Sequence, residues 1–318
     1  MEAIFLEPVL QEKIWGGKKL STEFHLDIPS DKTGEAWVIS AHPNGPSVVK
    51  RPEAYAGQTL AELYEREPQL FGPNHPEPFP LLVKILDAND NLSVQVHPDD
   101  AYAQAHEGPN ELGKTECWYI LSAEEGAKII YGHNASTKEE FEAYVEKGDF
   151  DGLFREVEVK AGEFYDVPAG TIHAIGAGIT ILETQQSSDT TYRVFDYNRK
   201  DDSGKERELH LQQSIDVSLI PHQDSEHTKR DLKVKANELT ELVANDYFVV
   251  YKLDVTVEQA YAFEEDYYLA TVVKGSGEVT LDQETYPLKI ADSFILPYGP
   301  KDVTFSGDME LVISKPVF

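Results

Sequence analysis

Only one cysteine, Cys117, occurs in the 318 residues, which excludes a disulfide framework. No apolar run approaches the ~20 residues that a membrane-spanning helix needs. The opening residues MEAIFLEPVLQEKIWGG lack a basic start, a long apolar stretch and a small-residue cleavage site, so no signal peptide is expected. A cytoplasmic protein fits these absences. Positive charge is scarce as well: 28 Lys and Arg stand against 57 Asp and Glu, a net charge of −29. Such a surface repels nucleic acid and anionic lipid, and neither is expected as a partner. An anionic ligand would need a local cationic group or a metal working against the overall field.

What is present is a chain of short β-rich runs separated by Gly and Pro, the pattern of a sandwich or barrel. In Leu92-Ser93-Val94-Gln95-Val96-His97 the apolar residues share one strand face, and Ser93, Gln95 and His97 share the other. Glu116, Trp118 and Ile120 fall on one face of the following strand candidate, which turns Cys117 away as a buried, inert thiol. Helices are few. Thr59 and Glu62 form a capping box, Asp99 or Asp100 can cap a short helix, Ser136 and Glu139 form a second box, and HLQQSIDVSL from His210 reads as helix.

The polar stretch from Arg199 to about Asn237 holds no strong strand and is expected to join two domains, residues 1–236 and 237–318. Arg199 and Lys200 read as solvated loop charges. An internal echo supports the division. Gly162, Pro168, Gly170 and His173 recur at the same offsets as Ala291, Pro297, Gly299 and Asp302, each set followed by a further strand candidate. The second copy lacks the histidine. Among the other histidines, His133, His210, His222 and His227 carry no functional signal, and the large aromatics Trp15, Trp37 and Trp118 are expected in the core.

The spacing Gly-x5-Pro-x-Gly-x2-His resembles the second motif of the cupin superfamily. The fold this implies is mainly β: two cupin-type antiparallel β-barrels of the jelly-roll kind with a few short helices, the first holding a metal site and the second lacking it. The match departs from the pattern in two places. Ala177 stands where cupins carry Asn, and Gln95-Val-His97 is followed by Glu116 only nineteen residues later. Cupin spacing alone therefore singles out His173.

Longer strings extend the likeness. IWGGKKL, GEAWVISAHPNGPS, LSVQVHPDD, GKTECWYIL, VPAGTIHAIG and QQSSDTTYRVFDYNR together resemble type I mannose-6-phosphate isomerases of the short form, from Trp15 to about Asp216. The resemblance implies one zinc ion per chain, held by His97, Glu116 and His173, with Gln95 matching a fourth ligand position in other branches. It also implies catalytic roles for Arg193 and Lys114, and a small sugar phosphate as substrate.

These residue types suit the implied chemistry. Aldose and ketose phosphates interconvert by moving a proton between C2 and C1 through an enediolate. Two imidazoles and a carboxylate suit Zn²⁺ and leave positions open, although manganese or cobalt could occupy such a site. An arginine can stabilise the developing charge or grip a phosphate. Lys114, Glu183 and Asp196 are the candidates for the general base. Two other functions remain open to the same donor set: an iron-dependent cupin oxygenase with a two-His, one-carboxylate site, and a sugar-binding cupin without catalysis.

Overall fold

The computed structural model describes residues 1–201, 203–264 and 266–318. Its strands form three antiparallel sheets. The six-stranded sheet runs in the order Phe164–Val167, Glu116–Ala123, Ile179–Gln186, Leu81–Ala88, Thr33–Ile39, Val9–Gly17. The five-stranded sheet runs Tyr192–Phe195, Val94–Val96, His173–Ile175, Lys128–His133, Phe154–Glu158. A core of Trp118, Ile120, Tyr165 and Ile181 from the first and Ile129, Tyr131 and Ile175 from the second fills the space between them. The expected mainly β, cupin-type architecture is what the chain adopts.

Alternation along each strand decides what faces that space. Cys117 and Tyr119 point outward into a second core, shared with Val250, Leu269 and Val312 of the C-terminal strands. Glu116, Trp118 and Ile120 point inward. On the five-stranded sheet Val94 and Val96 pack outward with Phe141, Leu153 and Ile215 of the covering helices, which leaves Gln95 and His97 on the inner side.

The nine-stranded sheet is built from the strands after residue 237, and it also takes in Ile4–Glu7 and Val48–Arg51. Ile4–Glu7 pairs with Ser293–Leu296, Phe5 opposite Phe294. The two rings lie 5.2 Å apart inside the C-terminal core, and burying Phe5 there contributes on the order of 2 kcal/mol. The interior of this second unit is packed with side chains such as Phe294, Phe305 and Ile313.

The internal echo is structural as well as sequential. Gly162 and Ala291 both take left-handed backbone, φ 88° and 69°, and both precede short strands, Phe164–Val167 and Ser293–Leu296. His173 is buried, whereas Asp302 is exposed. The expected helices form with one shift. Thr59 and Glu62 make a full capping box, Asp99 caps Asp100–His106, and Leu211–Val217 follows His210. The helix Lys138–Lys147 is capped by Thr137 rather than Ser136, and Glu140 reaches back to the Ser136 amide.

The stretch after Arg199 is anchored to the first unit. Phe164 and Lys229 exchange backbone hydrogen bonds of 2.9 and 2.8 Å. Arg199, expected as a solvated charge, is instead largely buried: it donates to Asp196 Oδ1 at 2.6 Å, Asn91 O at 2.6 Å and Asp90 Oδ2 at 3.3 Å. Spacing alone could not reveal these partners, because Asp90 and Asn91 lie more than a hundred residues away. Among the described residues no helix is long and apolar enough to cross a membrane.

Candidate active site

Between the two facing sheets lies a cavity of about 270 Å³ whose walls include His97, Lys114, Glu116, His173, Gln95 and Arg193. The two histidines come from the five-stranded sheet and Glu116 from the sheet opposite. His97 follows Val94–Val96, and the turn at Pro168–Gly170 is fastened to it, since the Gly170 amide donates to the His97 carbonyl at 2.9 Å. Gly170 has φ 87°, and a Cβ there would meet the Val217 carbonyl at 2.8 Å, so the turn needs glycine. His173 begins the next strand and pairs in register with Gln95, which in turn pairs with Arg193. Three polar residues thus stand side by side across neighbouring strands.

His97, Glu116 and His173 converge, each offering one donor atom, all within 4.8 Å of one another. His97 Nε2 lies 3.4 Å from Glu116 Oε2, and His173 Nε2 lies 3.3 Å from Oε1. Each imidazole's Nδ1 is within hydrogen-bond distance of a backbone carbonyl, Thr190 for His97 at 2.9 Å and Thr171 for His173 at 2.8 Å. That bond fixes the tautomer with Nδ1 donating and leaves Nε2 free as a lone-pair donor. Burial lowers the pKa of both rings, that of His97 to about 3 with Lys114 adding to the effect. Burial would raise the Glu116 carboxyl, but Lys114 and the two imidazoles outweigh it and hold it well below the usual range. Glu116 Oε2 is buried and makes no hydrogen bond to the described residues, with the Lys114 ammonium 3.4 Å away. Two neutral imidazoles, one carboxylate and an unsatisfied buried oxygen fit a divalent cation.

A second polar row crosses the floor of the six-stranded sheet. The Trp118 indole donates to Glu116 Oε1 at 3.1 Å and to Glu183 Oε2 at 3.2 Å. Lys84 stands 3.4 Å from Glu183 and 3.9 Å from Glu35, with its ammonium 5.0 Å above the Trp37 ring. Burial is the main reason the Glu183 pKa rises to about 7, with the Glu116 charge second. For Glu35 burial is overcome by Lys84 and Lys13, and its pKa falls to about 2.

Of the three base candidates, Glu183 and Lys114 line the cavity. Asp196 is occupied by Arg207 and Arg199. Sequence reasoning missed Glu35, Lys84 and Arg207. For the first two a signal existed: TGEAWVI buries one charge, Glu35, and LLVKILDA buries two, Lys84 and Asp87, inside otherwise apolar strands, which proteins do only with a partner or a purpose. Trp15 and Trp118 are buried as expected, yet both line the cavity.

A cupin-type double unit with a buried His/Glu/His cluster suited to a divalent cation is the class that fold and site define. Family models narrow it: that of the phosphomannose isomerase type I catalytic domain matches residues 4–127, and that of the mannose-6-phosphate isomerase cupin domain matches residues 238–316. The chain is 52% identical over 98% of its length to a mannose-6-phosphate isomerase of Streptococcus mutans, 98% of which is covered. It is 47% identical, with the same two coverages, to the mannose-6-phosphate isomerase ManA of Bacillus subtilis. The crystal structure of the Bacillus subtilis mannose 6-phosphate isomerase superposes with a TM-score of 0.93 at 44% identity, covering 99% of both chains. The chain belongs to the type I mannose-6-phosphate isomerase family.

Proposed function

We propose that this chain interconverts mannose 6-phosphate and fructose 6-phosphate through an enediolate, using one zinc ion held by His97, Glu116 and His173 with Gln95 beside them as a fourth donor. The observation that carries the reading is the convergence of the three buried donors in a cavity that also holds Lys114 and Arg193. When bound, the cation supplies Lewis acidity at the sugar carbonyl and at the oxygen that becomes negative. Glu183 is the group assigned to move the proton between C2 and C1, because it lines the cavity, shares the Trp118 N–H with Glu116, and is pushed up toward neutrality by burial. Trp118 orients Glu183 and Glu116 together through its single N–H. Lys114, 3.4 Å from Glu116, offers its ammonium to a substrate oxygen, and Arg193 stabilises negative charge on the sugar phosphate.

Residues 1–236 form the catalytic part in this reading, and 237–318 a cupin-like unit without ligands. The single buried thiol, Cys117, suits a reducing compartment such as the cytoplasm. A coupled assay tests the proposal. Purified protein with zinc should convert mannose 6-phosphate to fructose 6-phosphate, a chelator should abolish the conversion, and zinc should restore it. No turnover with any divalent metal would overturn the reading and reopen the oxygenase and sugar-binding alternatives.

A further inference from the structure

Positive charge is unevenly placed along the cavity wall. Lys13 lies 3.6 Å from Glu35, Lys84 is shared between Glu35 and Glu183, and Lys114 faces Glu116. Those three ammonium groups are each matched by a carboxylate. The two guanidinium groups lining the cavity are not matched in the same way. Arg193 donates through Nη1 to the Glu208 carbonyl at 3.1 Å, and its buried Nε has no acceptor. Arg207 is gripped by Asp196 through two parallel bonds, Nε to Oδ2 at 2.8 Å and Nη2 to Oδ1 at 2.7 Å. Asp196 also receives Arg199, so one carboxylate serves two guanidinium groups and a third stands close by. Burial and then the Arg207 charge work against the cationic form of Arg193, which records how near the two like charges are.

Like charges held together cost stability unless an anion joins them. The fork of Arg207 is fixed from behind by Asp196, and its Nη1 has no protein partner among the described residues. A preorganised guanidinium with spare donors suits bidentate recognition of a phosphate. This also bears on how a chain of net charge −29 can receive an anion: five cationic side chains line the cavity against the four carboxylates of Glu35, Glu116, Glu183 and Asp189, and the guanidinium groups of Arg193 and Arg207 stand together in its wall.

We infer that Arg207, with Arg193 beside it, forms the subsite for the phosphate of the substrate, and that Asp196 is a positioning residue that aims Arg207. The inference rests on the isomerase reading for the identity of the substrate, but the subsite can be tested without turnover. Zinc-loaded full-length protein and its Arg207→Gln variant would be titrated calorimetrically with inorganic phosphate, and KM, kcat and the competitive Ki of phosphate would be measured with mannose 6-phosphate. Expected for Arg207→Gln is a rise of roughly 10- to 100-fold in the phosphate Kd, in Ki and in KM, with kcat changed only a few-fold. Arg207→Lys should recover part of the loss, because a point charge replaces the fork. Asp196→Asn should raise the same constants more modestly, and it carries the test if Arg207→Gln does not fold. Phosphate Kd and KM unchanged in folded, zinc-replete variants would overturn the inference, as would a fall in kcat alone. Wild-type protein that binds phosphate through Arg207 yet does not isomerise would overturn the isomerase reading and leave the anion site standing.

Discussion

Lys84 and Glu183 face each other in register on adjacent strands, with Nζ 3.4 Å from Oε1 and both side chains buried. Glu35 shares the same ammonium. Removing one member of such a group leaves buried charge uncompensated. Lys84→Met is therefore expected to destabilise the fold by about 3–5 kcal/mol at pH 8, read from urea midpoints. The pH dependence follows from Glu35. Its folded pKa of about 2 lies below the ordinary value of 4.5, so its contribution is complete above about 4.5 and is lost as the pH falls toward 2. Without Lys84 the largest cause of that depression is gone, and the deficit of the variant should shrink as the pH falls from about 4.5 toward 2. A variant as stable as wild type at pH 8 would show that the ammonium is dispensable.

The donor trio and Arg193 should separate by metal content. His173→Ala leaves two protein donors of the three and is expected to lose most of its zinc after dialysis, as elemental analysis would show. Arg193→Ala should keep its zinc and lower kcat/KM by about 10²- to 10³-fold. Stoichiometric zinc in the first variant, or wild-type turnover in the second, would contradict the role assigned to that residue.

Metal affinity should depend weakly on pH. A solvent-exposed imidazole with an ordinary pKa near 6.5 costs roughly tenfold in affinity at pH 5.5, and two such groups roughly a hundredfold. Burial already holds His97 unprotonated down to about pH 3 and lowers His173 as well. Zinc affinity is expected to change less than about tenfold between pH 5.5 and 8 in a competition assay with a chelator of known pH dependence. A hundredfold loss at pH 5.5 would mean that the imidazoles are solvated before metal arrives.

The meeting of His97, Glu116 and His173 was legible through the strings that resemble the isomerase family, since spacing alone singled out only His173 after its Pro-Gly turn. The strand periodicities carried the fold because spacing within a single strand is preserved in the sequence. What escaped was contact between strands distant in sequence. Lys84 and Glu183 meet only because Leu81–Ala88 and Ile179–Gln186 pair. Arg207 comes from a polar stretch that reads as a connection, and its position depends on Asp196, eleven residues earlier, being buried behind it. The role of Trp118 was hidden differently, since an indole in a core strand gives no hint that its N–H bridges two carboxylates.

The reach of the N-terminal strands decides what deletion of residues 237–318 would do. Ile4–Glu7 loses its Ser293–Leu296 partner, and Phe5 loses its packing against Phe294. The outward face carrying Cys117, Tyr119 and Val83 loses its cover from Val250, Leu269 and Val312. Tyr119 also loses Lys252, whose ammonium lies 5.4 Å from its ring. None of the described residues lining the cavity comes from the deleted segment, so the loss is one of support and not of chemistry. An exposed apolar sheet face of this kind also invites association between chains. The truncated protein is expected to melt at least about 10 °C below the full chain or to precipitate, as differential scanning fluorimetry and solubility would show. An unchanged melting temperature would mean that the first unit holds its outward face without the second.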